Sequence, residues 1–206
     1  MLRRRVIKIG GSLLSCPDIG ERFANWLQGQ HEAQNFLIVG GGDAVESMRH
    51  LDAVHHFAQA EVHWWCVSLL STTAKVAARL LDVGIIDSPD ALERCLAHTP
   101  TSESLVVDVN TFYTPGSAGL RSPLRGVSGR LDELPESWKT TTDSISAYFT
   151  VQTQISELVL LKSISAADDD MDSWSREGVV DEFFPDVARQ IASVRLVNLR
   201  EFPRQS

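Results

Sequence analysis

Two stretches near the start of the chain repeat one arrangement, and they restrict the possible folds more than any other feature. Val6-Ile7-Lys8-Ile9 is a short β-branched run that breaks at Gly10-Gly11, and Phe36-Leu37-Ile38-Val39 is an apolar run that breaks at Gly40-Gly41-Gly42. Each has the length and composition of a buried strand. Helical spacing follows both: Ile19, Phe23, Trp26 and Leu27 after the first, and Ala44 to Leu51, with Asp43 as its N-cap, after the second. Strands joined through helices run parallel, so the repetition predicts an α/β fold with a mainly parallel sheet.

The rest of the chain continues the alternation. Helices are expected over Glu61 to Asp82, Ala91 to His98, Asp143 to Thr150 and Val187 to Val194. Strands are expected at Leu105 to Val109, Leu158 to Leu161 and Val194 to Leu199. Residues Thr114 to Pro135 are rich in Gly, Pro, Ser and Arg and read as a long loop, and Ala166 to Asp172 as an acidic one. No linker divides the 206 residues, which suits a single domain.

Bulk charge limits what such a domain binds. The net charge is −8 and the basic residues are scattered beyond Arg3-Arg4-Arg5, a surface that repels nucleic acid and anionic lipid. An anionic ligand must then be held by a few local positive groups. Cys16, Cys66 and Cys95 are odd in number without metal spacing, and read as reduced thiols of a cytoplasmic protein. No apolar run is long enough to span a membrane.

Glycine loops at the carboxyl ends of parallel strands lie where α/β sheets bind ligands. Their amides, with a following helix N-terminus, can cradle phosphate, and Lys8 would add a cation at the same edge. A glycine pair can also serve only to make a tight turn. Neither loop has the Gly-x-Gly-x-x-Gly spacing of a dinucleotide site, and neither is followed by the Gly-Lys-Ser/Thr of a P-loop.

Four segments in order, Val6-Ile7-Lys8-Ile9-Gly10-Gly11-Ser12-Leu13, Ile38-Val39-Gly40-Gly41-Gly42, Thr142-Asp143-Ser144-Ile145-Ser146-Ala147 and Leu158-Val159-Leu160-Leu161-Lys162, resemble the amino-acid-kinase family. That family includes acetylglutamate, aspartate and uridylate kinases. Leu134-Pro135-Glu136-Ser137-Trp138, His63-Trp64 and Val180-Asp181-Glu182-Phe183-Phe184-Pro185 are similar to its small kinases of methanofuran biosynthesis and their bacterial relatives.

The resemblance implies a three-layer αβα sandwich, with an acceptor half over about residues 1–135 and a nucleotide half over about 136–206. It implies ATP with Mg²⁺ as cofactor, a small anionic acceptor, and a homo-oligomer. The best-matching acceptor is a phosphate monoester of one-carbon-cofactor biosynthesis; the alternatives are a carboxylate such as an amino acid, or a regulatory homologue without turnover. Lys8 and the amides of Gly10, Gly11 and Ser12 would face the transferring phosphoryl group, and Lys162 would contact the nucleotide. Asp143 would organise the lysines, or cap a helix. Gly40, Gly41 and Gly42, with His63 and Arg125, would hold the acceptor. The chain departs from the family after Leu161, where Lys162-Ser163-Ile164-Ser165-Ala166 replaces Thr-Asp-Val-Asp-Gly, and it lacks the later Gly-Met-x-x-Lys, with Arg176 in roughly that stretch.

An ionised acceptor needs no general base, so such a site would need amides, lysines and a metal-bound phosphate, with little proton transfer. His50, His55, His56 and His63 have no His-x-x-x-His spacing with an adjoining acid, and no protein metal site is expected. Asp168-Asp169-Asp170 suits a solvated loop. Trp64 and Trp65 cannot share one helix face, so one belongs to the core and the other to an interface or the acceptor pocket. Arg121, Arg125 and Arg130 would let the long loop close over an anion.

Overall fold

A computed structural model describes residues 2–115 and 134–202. Six strands form one all-parallel sheet: β1 (Arg3–Ile9), β2 (Ala33–Val39), β3 (Gly84–Ile86), β4 (Ser104–Val107), β5 (Glu157–Lys162) and β6 (Ser193–Asn198), in the order β3-β4-β2-β1-β5-β6. The helices are α1 (Ile19–Gln28), α2 (Gly42–His55), α3 (Gln59–Leu81), α4 (Pro89–Ala97), α5 (Thr142–Gln152), α6 (Met171–Arg176) and α7 (Phe184–Ala188).

Strand alternation sorts the two cores. Val6, Phe36, Ile38, Leu158 and Leu160 point to one face, where α5, α7 and α4 cover them. Ile7, Ile9, Leu37, Val39, Val159 and Leu161 point to the other, against α1 and the second half of α3. Both faces are buried, so the central strands read as unbroken apolar runs. Helix α3 serves both sides: Val67 and Leu70 join the first core, and Ala74, Ala77, Ala78 and Leu81 the second.

The expected elements are present with shifted bounds. α2 begins at Gly42 with Gly41 as its cap, so Asp43 lies inside the first turn and does not cap it. The helix expected over Val187 to Val194 ends at Ala188, because Ser193 already belongs to β6. The acidic stretch ends in a helix: Asp170 accepts hydrogen bonds from the amides of Asp172 and Ser173 and caps α6. Strand β3 was not expected.

The sheet is tied at its amino edge by a buried ion pair. Arg5 is fully buried and donates to Glu157 at 2.9 Å and to the His31 carbonyl at 3.1 Å. Glu157 also accepts from Arg195 at 2.7 Å. Burial pushes the Glu157 carboxyl up, but Arg5 and Arg195 outweigh it and hold it below the ordinary range. Large apolar side chains remain exposed along α2 and α3, among them Leu51, Val54, Trp65, Val76 and Leu80. Among the described residues no helix is long and apolar enough to cross a membrane.

Candidate functional site

Lys8 lies two residues beyond Val6 on β1, and Lys162 two beyond Leu160 on β5, so alternation turns both toward the α5 face. Lys8 is level with Leu160 in the parallel register. The two ammonium groups therefore meet diagonally at the carboxyl edge. Helix α5 brings Asp143 between them. Asp143 Oδ2 accepts a hydrogen bond from Lys162 Nζ at 2.7 Å, and Oδ1 stands 2.8 Å from Lys8 Nζ. Lys8, Asp143 and Lys162 are 4%, 4% and 8% exposed.

Burial pushes the Asp143 carboxyl up, yet Lys162 and Lys8 together prevail and set its pKa at about 2. Burial, aided by the charge of Lys8 and opposed by Asp143, brings Lys162 down to about 8. Two lysines thus share one carboxylate at a sheet edge of an otherwise acidic protein.

Asp143 does not cap its helix. Thr141 is the cap, accepting from the Asp143 amide, and the carboxylate is free to face the lysines. The first turn is held by Asp181, which sequence reasoning had noted only as part of a motif. Asp181 accepts from the Thr141 amide and hydroxyl at 2.9 and 2.8 Å, from the Ser144 amide at 3.0 Å, and from the Ser144 hydroxyl. It also receives the amides of Phe183 and Phe184. Burial and the neighbouring Asp143 charge push its carboxyl upward. Two acids, Asp181 and Glu182, set between the apolar pairs Val179-Val180 and Phe183-Phe184 were the available signal.

The glycine loops interlock. A Cβ on Gly11 would lie 2.1 Å from the Gly42 amide nitrogen, and one on Gly40 2.7 Å from that of Gly11. Gly42 also has a positive φ of 52°. These glycines let backbone touch backbone. The Gly10 amide, expected to face phosphate, donates instead to the Leu161 carbonyl at 2.8 Å, and the Gly40 amide to Ile9 at 2.9 Å. Ser12 Oγ meets Ser163 Oγ at 2.8 Å, joining the loops that follow β1 and β5.

Beside the triad, through Thr142 and Gly41, lies a cavity of about 70 Å³ between α2, α3 and the segment Ser137 to Thr142. His63 lines it, with its Nε2 3.0 Å from the Tyr113 hydroxyl, and burial keeps its pKa below the ordinary value. Sequence reasoning gave no role to Arg49 or Asp52 and noted Trp138 only as part of a motif. The Arg49 guanidinium stacks 4.2 Å from the Trp138 ring, and the Trp138 indole N–H donates to Asp52 at 2.6 Å. Thr140 also lines this cavity. Trp64 packs half-buried on Tyr113, while Trp65 is exposed against Phe57. Arg125, with Arg121 and Arg130, lies outside the described residues.

Solved structures with this fold are known. Uridylate kinase from Archaeoglobus fulgidus superposes with a TM-score of 0.57 at 14% identity, covering 95% of this chain and 92% of that one. UMP kinase from Ureaplasma parvum gives 0.61 at 12% identity, covering 98% and 92%. UMP kinase from Bacillus anthracis gives 0.61 at 13%, covering 97% and 88%. The fold is that of the amino-acid kinases. No family model matches the chain, and no curated protein matches it. At these identities the likeness is one of architecture.

Proposed function

We propose that this chain is an ATP-dependent phosphotransferase that moves a phosphoryl group to a small anionic acceptor. The observation that carries the reading is the Lys8–Asp143–Lys162 triad, two lysines joined through one carboxylate and buried at the carboxyl edge. It lies where β1 meets β5, after the chain has crossed from one side of β1 to the other, which is where ligands bind in open α/β sheets. The superposed structures are described as uridylate and UMP kinases, which agrees with phosphoryl chemistry.

The residues fit ATP, because two ammonium groups sharing one carboxylate can stabilise a polyphosphate without an excess of buried charge. Bound ATP would supply the phosphoryl group, and Mg²⁺ would be carried by its phosphates, since the Asp143 oxygens are occupied by lysines. Lys8 and Lys162 would stabilise the charge that builds up during transfer. Asp143 would keep both lysines in register and, held ionised at about 2, would not act as a base. Ser12, Gly11 and Gly10 form the loop beside Lys8, while Gly40, Gly41 and Gly42 border the acceptor side. The amino part of the chain would serve the acceptor and the part beyond about residue 136 the nucleotide, within one cytoplasmic domain.

A phosphate monoester is the acceptor class we favour. The Trp138 segment and His63-Trp64, which carry the likeness to kinases of one-carbon-cofactor biosynthesis, lie together around the cavity. We further assign the exposed α3 stripe of Trp65, Val76 and Leu80 to contact with a second copy. Glu61 near one end of α3 and Lys75 and Arg79 near the other would meet opposite charges in an antiparallel pair.

Calorimetry with Mg-ATP on wild type and Lys8→Ala, with an ATP-consumption assay over a panel of phosphate and carboxylate acceptors, tests the assignment. Lys8→Ala is expected to weaken ATP binding and cut turnover by about 10²–10³-fold. Equal affinity in both proteins would remove Lys8 from the site. ATP binding without turnover on any acceptor would favour the regulatory homologue, the reading that the missing late lysine supports.

A further inference from the structure

Asp181 does more than a helix end requires. One side-chain oxygen is enough to cap a helix, and Thr141 already supplies it to α5. Asp181, from the segment beyond β5, adds a second carboxylate close enough to Asp143 to feel its charge. Burial and that charge push its carboxyl upward, and the bonds from Ser144 and Thr141 push it back. Six donors converge on it: the amides and hydroxyls of Thr141 and Ser144, and the amides of Phe183 and Phe184. Amides cannot accept a proton in return, so the setting is built for the ionised form. Two buried carboxylates side by side oppose each other, and such arrangements gather at functional sites.

The bonds of Asp181 bracket Asp143. The amides of Thr141 and Ser144, two residues before it and one after, both donate to Asp181 Oδ2, at 2.9 and 3.0 Å. The Thr141 hydroxyl donates to the same oxygen at 2.8 Å and accepts the Asp143 amide at 3.3 Å, so one hydroxyl links the two acids. Asp181 is anchored in turn. Phe184 is fully buried in the first core with Ile145 and Phe149 of α5, and the Phe183 amide also donates to the Lys139 carbonyl at 3.2 Å. We propose that Asp181 is the positioning residue of the lysine–carboxylate site: it fixes the first turn of α5 so that Asp143 meets Lys8 and Lys162 together. Its part in phosphoryl transfer rests on the phosphotransferase reading, but its hold over the lysines does not.

The test reads the lysines directly, without ligand. Lysine occurs only as Lys8, Lys75, Lys139 and Lys162, and Lys75 and Lys139 are exposed, so NMR of isotope-labelled lysine ε-carbons resolves the buried pair. Lys162, assigned with Lys162→Met, should titrate at about 8 in wild type. In Asp181→Asn the midpoint should fall by at least about half a pH unit, because the Asp143 charge that supports the Lys162 ammonium is held less firmly. Asp170→Ala, which removes the cap of α6, is the control for lost stability and should leave every signal in place. An unchanged midpoint in folded Asp181→Asn would overturn the proposal, as would a matching fall in the control. A rise would overturn it too, since Asp181 would then seal the site against water and not place Asp143. If Asp181→Asn does not fold, Ser144→Ala decides: it removes one donor and keeps the charge, a smaller fall is expected, and no fall rejects the role. Turnover, on any acceptor that wild type uses, should drop at least about tenfold in Asp181→Asn and stay within about twofold in Asp170→Ala. Full turnover in Asp181→Asn would overturn the catalytic part. A lowered midpoint with no turnover by wild type would keep the positioning role and reject the kinase.

Discussion

Asp143 stands between two buried ammonium groups, and removing its charge leaves both without an anion. Had it been the helix cap, Asp143→Asn would spare stability, since Asn caps as well as Asp. With Thr141 in that role, the substitution should cost about 3–5 kcal/mol of stability, as for other broken buried pairs. Turnover should fall roughly 100-fold as the lysines lose register. Asp143→Asn combined with Lys162→Met should regain stability over the single variant but no activity; thermal melting and ATP consumption decide both points. Lys162→Met alone relieves a charge that burial disfavours, so at pH 7 it should melt at or above wild type, without activity. Below about pH 8 both folded and unfolded chains hold the Lys162 proton, and the full cost of burial stands. Between about 8 and 10.5 the unfolded chain keeps a proton that the folded one has released, so wild-type stability rises. The margin between variant and wild type should narrow from pH 7.5 to 10; a widening margin would reject the assignment.

The interlocked loops after β1 and β2 make a prediction at the level of elements. Gly11→Ala would push a Cβ to 2.1 Å from the Gly42 nitrogen and 2.9 Å from the Gly40 carbonyl carbon, atoms of backbone that cannot rotate away. Urea denaturation should show a loss of about 3 kcal/mol. Gly29→Ala meets only the Trp26 carbonyl at 3.5 Å and should stay within about 0.5 kcal/mol of wild type. The sequence leaves these glycines open as ligand contacts or as tight turns, and it cannot separate the two roles, because both require the same missing Cβ. It did locate the strands that carry Lys8 and Lys162 and the helix that carries Asp143, since apolar runs and helical spacing are local signals. β3 escaped because three residues, Gly84–Ile86, are too few to show a pattern. α6 was hidden because its cap, Asp170, ends an acidic run that reads as solvated loop. In Thr140-Thr141-Thr142-Asp143 four residues can cap, and only the fold picks one. The Arg49–Trp138–Asp52 contacts join α2 to a segment more than eighty residues away, a proximity that no local pattern encodes.

For the molecule as a whole, the exposed apolar stripe on α3 predicts self-association. Light scattering should report a dimer or larger assembly, and Val76→Glu with Leu80→Glu should return it to monomer with melting little changed, since both side chains are more than 40% exposed. A wild-type monomer at high concentration would reject this surface. The strand order carries a further consequence, in time. β1 is made first yet lies inside the sheet, with β2 on one side and β5 on the other. During synthesis its second edge stays open until Glu157–Lys162 has emerged, while the apolar strands around it are already present. The same late segment delivers Lys162, so a nascent chain cannot assemble the triad early. Chains interrupted before that strand are expected to be inert toward ligand and prone to edge-to-edge aggregation.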